Sequence, residues 1–443
     1  MIWNFYDGKT LFITGGTGFL GTAVLCRLLS RSSPKRVYLL CRGGSEKAKA
    51  KWSTMLPASQ VTALRQNSSV TILDGELGDT ATMDLSEETL QLLKNTVHII
   101  IHAASAVNLG SSLREMSYTD MAPSLCLIRY ALKFPNLERF VFVSTAYANA
   151  HLRKSCPSSD VPVEEKIYPL DGEKEDYYAS AVQAWDQVHR TGSSDEYEAH
   201  DFPWPYGYGK HLSERLLLHK ASERDALDKL LIIRPSLIGP AQEFPFPGFA
   251  SPHSMSSTRL AAAYMLHPGR RITLATRCKD PHTESTIDEV PVDVVVDRLL
   301  VHCALGTAGC VHAVSGEKGR QSVEDWWRAL NKERRLPWNL KLVWDSEDWH
   351  SPGLHRSERI FKIFGASYAF SEEKTVQAVR KLGGIDENEK THLVLFKDSS
   401  SGPFSLASRR GHIYPVAVQM AKKKNWPACS VRLLCRKGKT AAV

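Results

Sequence analysis

Two tyrosines and a lysine stand close together in the segment PWPYGYGKHLSE, residues 203–214. If a helix begins here, side chains four residues apart share a face. Tyr206, and not Tyr208, can then contact the same ligand as Lys210. A phenol with its ordinary pKa of about 10 releases its proton reluctantly, and a nearby ammonium lowers that pKa. The spacing predicts that Tyr206 protonates an oxygen made anionic by hydride transfer to a carbonyl carbon, while Lys210 holds the nicotinamide ribose. The alternative is a Tyr-Gly turn before a helix whose lysine is solvated.

A hydroxyl donor is expected beside this pair. Ser144 and Thr145 follow the apolar segment RFVFV, and ligands of parallel sheets lie at the carboxyl ends of the strands. A donor at that place can stabilise an oxyanion. Strand alternation directs only one of the two side chains towards the cleft, and we favour Thr145 over Ser144. The alternative is a hydroxyl that only caps the strand end.

A glycine-rich turn follows the first predicted strand and opens the first predicted helix in ITGGTGFLG. In this context Gly15 permits the tight turn, Gly18 lets the backbone approach a pyrophosphate, and Gly21 lets the helix pack on the sheet. The free N–H groups at the start of the helix then receive the phosphates. The residues predicted to contact a dinucleotide here are Thr14, Gly15, Gly16, Thr17, Gly18, Phe19, Leu20 and Gly21.

The residue after the second predicted strand indicates which dinucleotide binds. An NAD site usually offers Asp or Glu there for the ribose 2′-OH, whereas this strand ends LLCRGG and places Arg42 at that point. A guanidinium pairs well with a 2′-phosphate. We therefore predict NADPH as the cofactor, and the alternative is an ordinary surface arginine.

Small residues follow the fourth predicted strand in HAASAV. His102, Ala103 and Ala104 are predicted to leave room for the adenine and ribose of the cofactor. The spacing of His98 and His102 would suit a metal on a helix, but on a strand the two lie about 13 Å apart. Because no third ligand stands nearby in the sequence, no metal site is predicted.

Strand-like and helix-like segments alternate along the first half of the chain. The strands are continuous runs of Val, Ile and Leu, which is typical of a parallel sheet covered on both faces. This pattern predicts an α/β fold with a doubly wound parallel sheet of the Rossmann type. The predicted strands are Lys9–Thr14, Arg36–Cys41, Ser69–Leu73, Val97–Ile101, Arg139–Val143 and Leu230–Ile233.

The places where this alternation of strands and helices stops suggest the domain boundaries. Residues 1–239, rejoined by 285–315, are predicted to form the NADP-binding Rossmann domain, with a long polar insertion at 151–204. Residues 240–284 and 316–395 are irregular and aromatic, and we expect them to form a smaller substrate-binding region. Residues 396–443 are predicted to be a linker and a flexible basic tail.

The charge of the chain is concentrated at its end. The net charge is +8, and the last 23 residues hold seven Lys or Arg and no acid, so the remainder is nearly neutral. This distribution argues against a nucleic-acid-binding protein. A weak contact of the tail with an anionic membrane surface is the alternative to a solvated tail. With no secretory leader, no long apolar run and no paired cysteine motif, the sequence predicts a cytoplasmic protein without a transmembrane segment.

The chain resembles the fatty acyl-CoA reductases, the male-sterility-type group of the extended short-chain dehydrogenases/reductases, over about residues 5–320. The similar segments are FYDGKTLFITGGTGFLGTAVLCRLL, NLERFVFVSTAYAN, VPVEEKIYPLDGE, YGYGK, LIIRPSLIGPAQEFPFPGF and IDEVPVDVVVD. The resemblance implies that Tyr206, Lys210 and either Thr145 or Ser144 are catalytic.

The same resemblance assigns the two ends of the cleft. It implies that Pro235 and Ser236 line the nicotinamide side of the cofactor, and that Pro245–Phe249 lies near the substrate entrance. The chain also departs from the family pattern. Asp120 stands where the family usually has Asn, in the helix that feeds its proton relay.

The activity that the resemblance implies is NADPH-dependent reduction of an acyl thioester, foremost a fatty acyl-CoA, to an aldehyde, a primary alcohol or both. Hydride transfer would proceed at the Tyr-Lys-Ser/Thr site without a covalent enzyme intermediate. A reductase of carrier-protein thioesters is similar in fold and is the nearest alternative. A sugar-nucleotide epimerase or dehydratase is a further alternative, which the RPS…PFPG segment disfavours. A non-catalytic NADPH-sensing protein is another, which the intact Tyr206–Lys210 pair disfavours.

Overall fold

The structure is a computed structural model of the chain. It describes residues 2–78, 82–105, 107–154, 160–170, 177–251, 254, 256–346, 350, 351, 354, 358, 361–384, 393–398, 405–426 and 428–436. Within these residues, no helix combines the length and the apolar character that crossing a lipid bilayer requires.

A seven-stranded sheet, in which all neighbouring strands run parallel, forms the centre of the fold. Most of its side chains are buried, which explains why the strands are continuously apolar rather than alternating. The strands are β1 (Thr10–Thr14), β2 (Arg36–Leu40), β3 (Val70–Leu73), β4 (Ile99–His102), β5 (Arg139–Val143), β6 (Leu230–Pro235) and β7 (Gly309–Ala313).

The strand order across the sheet is β3-β2-β1-β4-β5-β6-β7. The chain winds from β1 outwards to β3 and then returns to β4, and this reversal opens a crevice at the carboxyl ends of β1 and β4. Thr14 pairs with His102 at this edge. The predicted doubly wound parallel sheet is confirmed. Strand β7, which was not among the predicted strands, completes the sheet at one edge.

Helices cover the sheet and connect its strands. The part of the chain that contains the main sheet has the helices Phe19–Arg31, Gly44–Trp52, Ala58–Gln66, Glu87–Thr96, Leu113–Met116, Ala122–Ala131, Tyr177–Thr191, Asp195–Ala199, Pro205–Ser222 and Val292–Ala304. A buried ion pair joins the first of these helices to the last. The guanidinium of Arg27 donates to both carboxylate oxygens of Asp297, at 2.7 and 2.5 Å, so residues distant in sequence are held side by side.

A second hydrophobic core lies beside the main sheet and contains Trp204, Tyr206, Trp326 and Phe364. The helices of this region are Ser256–Met265, Pro281–Glu284 and Val323–Glu333, whereas Glu373–Lys381 packs on Val292–Ala304 through Ala378 and Val301. The short strands pair as Thr286–Ile287 with Gln321–Ser322, Leu237–Gly239 with Glu289–Pro291, Arg271–Ala275 with Lys341–Asp345, and Val161–Val163 with Tyr368–Phe370. Part of the predicted insertion is therefore integrated into this region through Val161–Val163.

The end of the chain is folded in the part that the structure describes, where the sequence predicts a flexible basic tail. Helices Arg410–Lys423 and Ala428–Leu434 bury apolar side chains in the second core, among them Ile413 and Val431. The buried guanidinium of Arg409 contacts both carboxylate oxygens of Glu289, at 2.9 and 2.5 Å. The prediction was wrong for these residues because it weighed the basic side chains, whereas the apolar ones between them face the core. Residues 399–404 and 437–443 lie outside the described residues.

Replacing Arg409 by Met should destabilise the protein, because Glu289 then keeps a buried carboxylate without its cationic partner. Breaking one side of a buried pair costs about 3–5 kcal/mol, whereas an exposed pair contributes about 0–1 kcal/mol. We expect the larger loss in urea unfolding of Arg409→Met. The control Arg328→Ala, which removes an exposed contact with Asp325, should change little. Equal stability of Arg409→Met and the unmodified chain would contradict the folded chain end.

Buried histidines give the fold a defined response to acid. Burial lowers the pKa of His102 to about 4 and the pKa values of His151, His302 and His312 to about 3. The unfolded chain has the ordinary histidine pKa of about 6.5. Between these values the unfolded state binds more protons, so this contribution to stability is complete above about pH 6.5 and is lost as the pH falls.

Urea unfolding at a series of pH values measures this loss. We expect the free energy of unfolding to fall between about pH 6.5 and 4.5, by up to about 1.4 kcal/mol per pH unit for each buried histidine. His302→Gln should reduce this slope by about one histidine's share, whereas His282→Gln at an exposed position should leave it intact. A slope unaffected by His302→Gln would refute the explanation.

Candidate active site

The glycine-rich loop between β1 and the helix Phe19–Arg31 leaves no space for side chains at two positions. Gly15 has a φ of +73°, and a Cβ there would lie 2.6 Å from the backbone of Ala103 and Ala104. A Cβ on Gly21 would lie 2.2 Å from the carbonyl oxygen of Gly15. The helix begins without a side-chain cap, so N–H groups of its first turn are available to an anion. This geometry suits a pyrophosphate.

A cavity of about 360 Å³ opens where this loop meets the carboxyl ends of β5 and β6. It brings together many of the predicted site residues, namely Gly15, Gly18, Phe19, Leu20, Gly21, Ala103, Ser144, Thr145, Tyr206, Pro235 and Ser236. The rest of the wall is largely apolar and includes Tyr147, Trp204, Leu237, Ile238, Ile363 and Phe364. The cavity thus offers one side to a dinucleotide and another to an apolar group.

A smaller cavity of about 190 Å³ shares part of the glycine-rich loop and reaches the ends of β2 and β3. Arg42 lines it and donates to Glu76 at 2.6 Å from an exposed position. Lys51 also lines it, and its Nζ donates to Thr17 Oγ1 at 3.3 Å. Lys51 was not predicted, although its place in the helix after β2 was an available signal. The smaller cavity also takes in Thr14, Thr17 and Ala104, whereas Gly16, His102 and Lys210 line neither cavity.

The helix Pro205–Ser222 separates the two tyrosines. It begins with a proline, whose fixed φ and missing N–H suit the first helical turn. Tyr206 lines the larger cavity. Tyr208 is fully buried elsewhere, where its hydroxyl lies 2.7 Å from Ser194 Oγ and its ring packs on Phe202. Of these two tyrosines, Tyr206 is the one placed to act on a ligand in this cavity.

Lys210 is buried and bound to a carboxylate. Its ammonium donates a hydrogen bond to Asp120 Oδ1 at 3.2 Å and makes a closer ionic contact with Oδ2 at 2.9 Å. It also lies 4.9 Å from the centroid of the Phe142 ring. Burial and the Asp120 carboxylate raise the pKa of Tyr206. The spacing to Lys210 predicts a lowered pKa instead, and that prediction is wrong because burial disfavours the phenolate and Asp120 offsets the charge of Lys210.

Ser144 and Thr145 both reach the larger cavity. Strand alternation does not separate them, because β5 ends at Val143. Thr145 Oγ1 accepts a hydrogen bond from the N–H of Tyr147 at 3.3 Å and donates to the carbonyl of Pro235 at 3.4 Å. Ser144 Oγ is buried and has no hydrogen-bond partner among the described residues. Thr145 is thus oriented by the backbone, while Ser144 keeps a donor for a ligand oxygen.

His102, which was predicted to lie beside the cofactor, instead links β1 to the segment that carries Asp120 and lines neither cavity. Its Nδ1 lies 2.7 Å from Thr14 Oγ1, and its Nε2 lies 2.9 Å from Ser124 Oγ. Because Ser124 donates to the carbonyl of Asp120, its oxygen accepts from Nε2–H, and Thr14 donates to Nδ1. In the described residues, no group of three or more His, Cys, Asp or Glu side chains is placed to hold a metal.

Asp293, in the IDEVPVDVVVD segment, anchors the loop after β6. Its carboxylate accepts hydrogen bonds from the three backbone N–H groups of residues 242–244, at 3.1, 2.8 and 3.1 Å. The following residues, Pro245–Phe249, were expected near the substrate entrance, but they do not line the larger cavity. Phe249 is instead buried against Phe19, with ring centroids 5.3 Å apart.

Known proteins resemble this chain in sequence. The family model described as "Male sterility protein", an NAD-binding family, matches residues 13–299. Fatty acyl-CoA reductase 1 of Xenopus laevis is 30 % identical over 305 residues, which are 67 % of this chain and 55 % of that protein. The putative fatty acyl-CoA reductase CG8306 of Drosophila melanogaster is 25 % identical over 413 residues, which are 86 % of this chain and 73 % of that protein.

Solved structures share the fold. The reductase domain of a nonribosomal peptide synthetase from Mycobacterium tuberculosis has a TM-score of 0.58 at 16 % identity, with coverage of 94 % of this chain and 92 % of that one. A thiolation-reductase di-domain from an archaeal nonribosomal peptide synthetase has a TM-score of 0.57 at 14 % identity, with coverage of 96 % and 78 %. At these identities the likeness shows the fold alone.

The family match covers more than half of the chain, although the chain spans only about half the length of several curated relatives, 55 % for the Xenopus protein. The NAD-binding family and the crevice between β1 and β4 together identify a site for a nicotinamide dinucleotide. The chain belongs to the male sterility protein family of extended short-chain dehydrogenases/reductases, the family that its sequence resembles.

Proposed function

We propose that this chain is an NADPH-dependent reductase of acyl thioesters and that its substrate is a fatty acyl-CoA. The observation that carries the proposal is the larger cavity. In it, the glycine-rich loop, Tyr206 and the hydroxyls of Ser144 and Thr145 line the same space as a largely apolar wall. The names of the relatives support the same substrate class.

The reaction requires a hydride donor and a proton donor at one carbonyl group. NADPH, held at the glycine-rich loop, would supply the hydride for the thioester carbon. Tyr206 gives its phenolic proton to the carbonyl oxygen, and the hydroxyl of Thr145 or Ser144 stabilises the developing charge. The hemithioacetal then returns this proton to Tyr206 as its C–S bond breaks, which gives the aldehyde. The departing thiolate takes a proton from solvent and leaves as free CoA. A second hydride transfer of the same kind gives the primary alcohol.

The apolar wall fits an acyl chain better than a sugar. Trp204, Ile363 and Phe364 line it together with Leu237 and Ile238, and each buried methylene contributes about 0.8 kcal/mol. The hydroxyls of a sugar nucleotide would need several polar partners, which these side chains do not supply. A carrier-protein thioester presents the same acyl group and remains the second candidate, because carrier-linked reductase domains have this fold.

The smaller cavity supports NADPH rather than NADH as the reductant. Arg42 and Lys51 place a guanidinium and an ammonium on its wall, and both groups pair with phosphate. Glu76 contributes one carboxylate to the same wall and contacts Arg42. Asp120 is a second carboxylate on this wall, but Lys210 binds it. Arg42 and Lys51 therefore outweigh Glu76 and favour the additional negative charge of a 2′-phosphate.

Replacing Tyr206 by Phe removes the proton donor and keeps the ring, so kcat for acyl-CoA-dependent NADPH oxidation should fall by about 10²–10⁴-fold. Tyr208→Phe is the matched control on the same helix. It removes buried contacts of the hydroxyl with Ser194 and Glu196, which lie away from the cavity, so kcat should stay within a few fold of the unmodified enzyme. Product analysis by mass spectrometry with acyl-CoAs of different lengths identifies an aldehyde or alcohol. Unchanged kcat in Tyr206→Phe would remove the assigned role of Tyr206.

Replacing Lys51 by Ala should weaken NADPH binding selectively. A hydrogen bond to a charged group is worth about 1.5–3 kcal/mol, which corresponds to about tenfold or more in Kd, and NADH has no 2′-phosphate to lose. Lys49→Ala, at an exposed position of the same helix, should leave both affinities unchanged. Calorimetric titration with each cofactor measures the effect. An equal loss for NADPH and NADH would show that Lys51 does not recognise the 2′-phosphate.

A further inference from the structure

The contact between Lys210 and Asp120 removes a net charge from the surroundings of Tyr206. Both side chains are almost completely buried, and the ammonium lies 2.9 Å from the carboxylate. Asp120 belongs to a π-helical turn, Ser117–Met121, between two α-helical segments. Such turns widen a helix locally and are frequent at functional sites. The turn places the Asp120 carboxylate against Lys210. Without it, the positive charge of Lys210 would act on the phenol of Tyr206 alone.

Few other charges lie near Tyr206. From β4, His102 is neutral because burial lowers its pKa. After β5, the phenol of Tyr147 is neutral because burial raises its pKa. From the helix Ser256–Met265, Arg259 lines the same cavity at an exposed position. On the helix of Tyr206 itself, burial raises the pKa of Tyr208 and lowers that of His211, so both are neutral. The buried ions Glu214 and Arg215 are paired with Arg234 and Glu196.

We propose, on the basis of the proposed function, that Asp120 is a positioning residue that takes up the charge of Lys210 and thereby keeps Tyr206 a neutral phenol. A neutral phenol is the form that gives a proton to a reduced carbonyl oxygen. A phenolate is the form that removes a proton from an alcohol during oxidation. Asp120 therefore biases the site towards reduction and against the reverse reaction.

A structural role alone would not need the charge of Asp120. An asparagine in its place could still accept a hydrogen bond from the Lys210 ammonium through its amide oxygen. Two buried ions must both be desolvated, and the desolvation cost can exceed the gain from their attraction. The carboxylate differs from the amide chiefly in its negative charge, and this charge contributes to the raised pKa of Tyr206. Asp120→Asn therefore separates the charge from the hydrogen bond.

Titration of Tyr206 in the full chain tests the proposal without any substrate. The chain is labelled with ¹³C at the tyrosine Cζ positions, and the NMR signal of Tyr206 is assigned by its absence in Tyr206→Phe. In the unmodified chain this signal should not titrate up to about pH 10, the ordinary tyrosine pKa. In Asp120→Asn it should titrate at least one pH unit lower than in the unmodified chain. Titration of Tyr206 clearly below about pH 10 in the unmodified chain, or identical curves, would overturn the proposal.

Two further variants make the result specific to charge. Asp120→Asn combined with Lys210→Met removes both ions, so the Tyr206 signal should return to the behaviour of the unmodified chain. A double variant that titrates like Asp120→Asn would contradict the proposal. Asp325→Asn, which alters an exposed carboxylate, should leave Tyr206 unaffected. If Asp120→Asn does not fold, as judged by circular dichroism, the titration of the unmodified chain still decides the first expectation.

Steady-state kinetics add a readout that a merely structural role would not move. In Asp120→Asn, the alkaline limb of the kcat/KM profile for thioester reduction should shift down by at least one pH unit, and the ratio of alcohol oxidation to thioester reduction should rise. A uniform loss of kcat at every pH would assign Asp120 a structural role only. The NMR result does not depend on thioester turnover, so failure of the proposed function and failure of this inference are distinguishable.

Discussion

The parallel pairing of β1 with β4 is the constraint on which the candidate site depends. The chain leaves these two neighbouring strands in opposite directions, so their carboxyl ends stay uncovered and a crevice opens between them. The loop at Gly15 lies so close to the backbone of Ala103 and Ala104 that a side chain cannot fit. Both cavities begin at this loop. The order of the strands therefore sets the position of both cavities, and the side chains on their walls determine only what each cavity can bind.

Buried ion pairs then fix the elements around the crevice. Arg234 of β6 donates to both carboxylate oxygens of Glu214, at 2.9 and 2.6 Å, and both side chains are fully buried. Glu214 belongs to the helix that carries Tyr206. A buried pair adds little net stability, but separating it leaves uncompensated charges in the interior. The position of Tyr206 relative to β6 is thus held by electrostatics as well as by packing.

Local sequence patterns predicted strands β1 to β6 of the main sheet, but not β7, and they selected the tyrosine that lines the larger cavity. Continuous apolar segments indicate buried parallel strands, and the four-residue spacing to Lys210 distinguishes Tyr206 from Tyr208. Both signals come from residues close together in the chain. The contact of Lys210 with Asp120 joins residues 90 positions apart, and no local spacing indicates it.

The same limit explains the other differences. Phe364, on the wall of the larger cavity, lies far along the chain from the residues it faces, and nothing in its own neighbourhood marks it as a cavity residue. The flexible tail was predicted from a count of basic residues, which carries no information on where Ile413 and Val431 pack. Amphipathic spacing within the tail was the signal that could have corrected this prediction.

The folded chain end has a consequence for the order in which the protein matures. All seven strands of the main sheet are present once residue 313 has been synthesised. The core that contains Tyr206 and Trp204 also contains Val416 and Val431, so it is incomplete until residue 431 has been synthesised. Because folding during synthesis proceeds from the N-terminus, the dinucleotide crevice can form before the apolar wall is closed. A nascent chain would therefore gain its dinucleotide crevice earlier than the apolar wall of the larger cavity.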